Sequence, residues 1–222
     1  MIHPSTIKFL ADLKKNNNRE WFEKNRKNYE FTKQNFLDLT SSVLQGICEV
    51  DNTLITLEPK KCVFRINRDV RFSKDKSPYK SNMGMSISKG GKNSSYAGYY
   101  FHLETEQCFI GGGLYMPMAD VVKNVRQEID YNWNDFKKII SNKRFVTTYK
   151  ELNTAKEYSL IRPPKGYEET NPAIHYLKLK SWIAGTSLTN EELGDKNLAK
   201  HIVKKFEILK PLLDYLNKAV DS

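Results

Sequence analysis

Cysteine is scarce, with three in 222 residues. Cys48, Cys62 and Cys108 form neither a CxxC pair nor an even set, so a disulfide framework is excluded and reduced, buried thiols in a cytoplasmic protein are expected. Histidine is nearly as rare. None of His3, His102, His175 and His201 is spaced as a zinc pair, and a magnesium site from Asp69, Asp75 and Glu104 would need strand geometry beyond what spacing supplies, so no metal is assigned. No apolar run approaches the about 18 residues of a membrane span. The opening Met1-Ile2-His3-Pro4, with Asp12 close behind, lacks the charged and apolar regions of a secretory signal. Walker, GxGxxG and HExxH patterns are missing, and so is a nucleophile elbow, which leaves P-loop, Rossmann, zincin and serine-hydrolase readings without support.

What is present is a core and a concentrated charge. Hydrophobic residues make up 39% and aromatics 12% of the chain, enough to exclude fully disordered and collagenous classes. Lys and Arg number 36 against 26 Asp and Glu, a net +10 that favours acidic partners. Residues 60–80 hold 8 basic and 2 acidic groups, so +6 of that +10 sits in one short segment. A charge run is ordinarily a solvated face, but this one is interleaved with Val63, Phe64, Ile66, Val70 and Phe72.

Periodicity divides the chain in three. Ser5 or Thr6 is expected to cap a first helix carrying Ile7, Leu10 and Ala11, and Asn17 with Glu20 resembles a capping box before Trp21-Phe22. Phe22, Tyr29, Phe36 and Val43 recur every seven residues along what reads as one long helix, its stripe facing a core; polar Asn25 and Thr32 weaken a coiled-coil alternative. Alternation then predicts strands over 62–72, 83–88, 97–104 and 107–115, joined as an antiparallel meander. Helical patterns return after Pro117, around Val121, Val122, Val125 and Ile129, and then around Trp133, Phe136, Ile139 and Ile140. Residues 159–172, rich in proline, read as an ordered loop. A terminal helix from about Lys196 carries Leu198, Ile202, Phe206, Leu209, Leu213, Leu216 and Val220, with a kink expected at Pro211. The whole reads as a single α+β domain over residues 1–222, an antiparallel sheet from the middle of the chain packed against N- and C-terminal helices.

The chemistry concentrates in residues 64–80. Strand alternation would set Phe64, Ile66, Arg68, Val70 and Phe72 on one face and Arg65, Asn67, Asp69 and Arg71 on the other. Arg68, placed with the apolar residues, would need a carboxylate such as Asp69, Asp75 or Glu104, because an unpaired buried charge is costly. Arginine forks and lysine ammoniums together make a phosphate-type cradle from Arg65, Arg68, Arg71, Lys76 and Lys80, with Tyr79 beside it. The competing reading is a closed Arg/Asp lattice with no ligand. His102 and Glu104 share a face of their strand, so His102 could move a proton under carboxylate orientation, or be a structural hydrogen-bonding group. Gly111-Gly112-Gly113 permits close approach of either a ligand or a packing neighbour, with packing or a bulge the plainer explanation.

The string Arg65-x-Asn67-Arg68-Asp69-x-Arg71-Phe72-x-x-Asp75-Lys76-x-Pro78-Tyr79-Lys80 resembles the signature of an uncharacterised family catalogued as domain of unknown function 2461. Asn18-Arg19-Glu20-Trp21-Phe22, Gly98-Tyr99-Tyr100-Phe101-His102-Leu103, Gly111-Gly112-Gly113-Leu114 and Pro164-Lys165-Gly166-Tyr167 are similar to its other motifs, so the resemblance spans nearly the whole chain. It implies one intact domain in the cytosol of bacteria and some fungi, and carries over no activity or catalytic residue. The functional expectation therefore rests on the residues: a phosphate-bearing or carboxylate small ligand at the Arg/Lys-rich segment, with Asp69 and His102 as proton-transfer groups if the protein is an enzyme. The alternatives are a nucleic-acid module using the positive charge and exposed Tyr79, Tyr96 and Tyr100 for stacking, and an interaction protein with an ion-pair lattice.

Overall fold

The structure, a computed structural model, describes all 222 residues, Met1 to Ser222. Helix α1 spans Pro4–Lys15. Its cap is His3, not Ser5 or Thr6: Pro4 occupies the first helical position, where its missing N–H costs nothing, and His3 Nδ1 accepts the Ser5 N–H at 3.2 Å. Helix α2, Arg19–Lys24, is capped by Asn18 rather than Asn17, through its Oδ1 and the Trp21 N–H at 2.9 Å. The expected long helix is broken at Asn25, and α3 runs Arg26–Cys48. The Asn25 amide donates to the Trp21 carbonyl at 2.9 Å, a side-chain bond that competes with helix continuation. Phe36 and Val43 of the expected stripe are fully buried. A four-residue α4, Pro59–Cys62, follows.

Four strands form one antiparallel sheet in chain order: β1 Asn82–Ser88, β2 Gly98–Glu104, β3 Phe109–Leu114 and β4 Trp182–Ser187. Between β3 and β4 lie α5 Ala119–Tyr131, α6 Trp133–Ile140, α7 Lys143–Tyr149 and α8 Ile174–Leu177, with residues 159–172 free of helix and strand as expected. After β4 come α9 Asn190–Gly194 and α10 Leu198–Asp221, the latter continuous through Pro211. Met85, Ile87, Tyr99, Phe101, Ile110 and Trp182 point to the sheet face covered by α3 and α10, where Phe36 stacks toward Phe101 at 6.0 Å and Phe206 meets Tyr99 at 5.0 Å. The triple glycine serves this packing. A Cβ on Gly112 would come within 2.6 Å of the Gly98 carbonyl oxygen and 3.0 Å of Leu209.

The strand expected over 62–72 does not form. Only an isolated bridge, Val63 to Met85, and the Phe64 N–H to Gly84 carbonyl bond at 3.0 Å bring that segment beside β1. Beyond it the carboxylates capture backbone groups two residues on: Asp69 accepts the Arg71 N–H at 3.3 Å and Asp75 the Ser77 N–H at 2.9 Å. Such Asx turns offer the backbone an alternative to a ladder, and here they prevail. The alternation fails with them, since Phe72 is 95% exposed while Ile66 is buried. The fourth strand is supplied instead by Trp182–Ser187.

Candidate functional site

Residues 66–80 form an irregular hairpin. Its arms are tied by the bridge between Asn67 and Tyr79, by Arg68 N–H to the Pro78 carbonyl at 2.9 Å, and by Lys80 N–H to the Ile66 carbonyl at 2.8 Å. The turn between α1 and α2 clamps this hairpin. Asn17 Oδ1 accepts the Tyr79 N–H at 3.1 Å and its amide donates to the Tyr79 carbonyl at 2.9 Å, so one side chain imitates a strand partner. The Tyr79 ring stacks on Phe22 with centroids 3.9 Å apart, and the residue as a whole is buried.

A cleft of about 300 Å³ opens where the end of α1 meets the hairpin, lined chiefly by Lys14, Arg68, Asp75, Lys80, Ser81 and Asn82. Arg68 donates to Asp75 and reaches the Ser73 hydroxyl at 3.5 Å. Ser77 and Arg68 hold the Asp75 carboxyl well below the usual carboxylate range. Lys80 differs: burial, and then the positive charge of Arg65, push its ammonium below the ordinary lysine value, with no carboxylate opposing them. Its Nζ rides over the Phe64 ring, 5.4 Å from the centroid. Lys14 is 54% exposed and approaches Glu104 only to 3.8 Å.

Of the residues singled out from sequence, Arg68, Tyr79 and Lys80 meet at this cleft. Asp69 and Arg71 instead pair with each other on the exposed hairpin tip, at 2.7 Å, and that guanidinium lowers the Asp69 carboxyl. Lys76 donates to the Val70 carbonyl at 3.0 Å. Arg65 acts on both Asp69 and Lys80 by its charge but does not line the cleft. Lys14, Ser77, Ser81 and Asn82 have no place in the sequence expectations, and Asn17 has one only as a helix cap. The run Asn16-Asn17-Asn18 marks a turn, but nothing in it indicates that Asn17 reaches a backbone 62 residues away.

His102 lies on the sheet face opposite the core, in a chain of side chains along β2. With Nε2 protonated it donates to Glu104 at 3.1 Å, and Nδ1 accepts the Tyr100 hydroxyl at 3.1 Å. The ring is stacked by Phe109 at 4.9 Å. Glu104 also accepts the Ser81 hydroxyl at 3.3 Å, which joins this chain to the cleft wall. Asp69 is not part of it. Asp69, Asp75 and Glu104 are each engaged by a different cation or imidazole, and no group of three metal-ligating side chains is gathered among them.

The family model described as Conserved hypothetical protein (DUF2461) matches residues 5–215. The chain belongs to this family. A search of curated proteins and a search of solved structures each returned no match. In this DUF2461 member, the string whose resemblance marked the family folds as the hairpin and cleft wall rather than as a strand. No helix is long and apolar enough to cross a membrane.

Proposed function

We propose that the protein binds a small phosphate-bearing or carboxylate ligand in the cleft between α1 and the 66–80 hairpin, with Lys14, Arg68 and Lys80 as its cationic contacts. One observation carries this reading. Lys80 is a part-buried ammonium whose charge is disfavoured by burial and by Arg65, and it lines a cleft whose one carboxylate, Asp75, pairs with Arg68 instead. A bound anion would supply the missing partner. If the ligand is turned over, we assign proton transfer to His102, a reading supported by the His102–Glu104–Ser81 hydrogen bonds that run to the cleft wall.

A second reading, the ligand-free lattice, draws on the Arg68–Asp75 and Arg71–Asp69 pairs, which close four of the hairpin charges on themselves. The two readings diverge at Lys80. Phosphate or sulfate at millimolar concentration should raise the melting temperature beyond a chloride control of equal ionic strength. Lys80→Gln should abolish that rise and leave anion-free stability within about 0.5 kcal/mol of wild type, since no ion pair is lost. Arg71→Gln should keep the rise, because Arg71 is committed to Asp69. No anion-specific rise in wild type would favour the lattice. Of the stacking groups that the nucleic-acid reading needs, Tyr79 is covered by Phe22, and Tyr100 packs against Phe64 and Phe109.

A further inference from the structure

Resting on that anion-site reading, we infer that the cleft takes a phosphomonoester of a small polyhydroxylated molecule, a sugar or polyol phosphate, and rejects nucleotides. Charge is the first argument. The lining holds three cations, Lys14, Arg68 and Lys80, against one carboxylate, Asp75, and Glu104 stands behind Ser81 at 3.8 Å from Lys14, so the balance at the cleft is positive. A phosphomonoester brings about −1.5 to −2 at neutral pH, whereas a simple carboxylate brings a single charge.

The rest of the wall is the second argument. Only one of the nine lining residues is hydrophobic, so hydroxyls meet hydrogen-bonding groups wherever they turn. Asn82, half-buried at the start of β1, has no side-chain partner within the protein and offers both donors and an acceptor. The Ser81 hydroxyl, donating to Glu104, retains lone pairs that accept. The one hydrophobic liner is Tyr79, a residue only 7% exposed whose ring is already stacked on Phe22, so a nucleobase finds no platform. Size permits the ligand: at about 30 Å³ of liquid volume per water, the cleft's roughly 300 Å³ holds on the order of ten waters, enough room for a sugar phosphate.

The test is a titration of the full chain, followed by melting temperature and calorimetry, with inorganic phosphate, a hexose 6-phosphate, the free hexose and adenosine monophosphate at one ionic strength. The hexose phosphate should half-saturate at a concentration about tenfold or more below those of inorganic phosphate and the nucleotide, with the free hexose inert. Asn82→Ala should erase the advantage over inorganic phosphate while phosphate itself still binds. Should that variant misfold, Asn82→Ser gives the same comparison. An ester that binds no tighter than inorganic phosphate, or a nucleotide that equals it, overturns the inference and leaves the anion site standing. No response to any probe, with Lys80→Gln indistinguishable from wild type, overturns both.

Discussion

Arg68 and Lys80 stand twelve positions apart in the sequence and meet different fates in one cleft. Arg68 finds the carboxylate that its semi-buried position demanded, Asp75, one of three acids that the sequence offered for the role. Lys80 finds none. Asp75 therefore has two duties, since its Oδ1 holds the Ser77 N–H while its Oδ2 neutralises Arg68. Asp75→Asn separates them: an amide oxygen can still accept from Ser77, but the lining loses its one carboxylate. Phosphate affinity should rise by no more than a few-fold, since a solvent-exposed charge is largely screened. A fall in affinity, read by phosphate titration, would mean that Asp75 matters chiefly by aiming Arg68. The roles expected of Asp69 and Arg71 are displaced by their own pairing, a contact between two residues that alternation along the expected strand also sets on one face.

At the scale of elements, the hairpin was misread because two-residue alternation describes a strand only when the backbone has a ladder to join. In residues 66–80 the backbone instead bonds to Asp side chains and across a short bridge, while the neighbouring β1 edge is contacted only around Val63 and Phe64. What holds this hairpin is the Asn17 clamp. Asn17→Ala would leave both the N–H and the carbonyl of buried Tyr79 without partners, at about 1–3 kcal/mol for each unsatisfied group. Denaturant unfolding should show a loss of that order. Amide exchange of Arg68 and Lys80 should quicken more than exchange in β2, as the arms lose their anchor. Uniform quickening would place the clamp's effect on the whole fold instead. Trp182–Ser187 joins the sheet as β4 with Ala184 and Gly185 at its middle, residues of low strand preference that pair because Gly111 and Gly112 lie opposite.

Across the whole molecule, one cluster of 47 buried apolar residues runs from Ile2 to Ala219 and joins α1, α3 and α10 to a single sheet face. Phe206, fully buried against Tyr99, is near its centre. Phe206→Ala should cost about 3–5 kcal/mol in denaturant unfolding. Phosphate half-saturation in the folded fraction should be unchanged, because the cleft is built by the hairpin and the end of α1. A parallel loss of affinity would show that the core and the cleft are coupled.

Composition and periodicity by themselves determined the class of the molecule: helices at both ends, an antiparallel sheet between, and the stripes of α3 and α10 that bury Phe36, Val43, Phe206 and Leu209. They succeed there because burial of one face imposes a repeat that is written in adjacent residues. The density of charge in residues 60–80 likewise marked the neighbourhood of the cleft. Only the tertiary structure decided which of those charges are spent on each other, that Asn17 and Lys14 come to the hairpin from the first helices, and that Lys80 is left facing the opening. Those outcomes depend on distances between segments more than 60 residues apart in the chain, which no local pattern encodes.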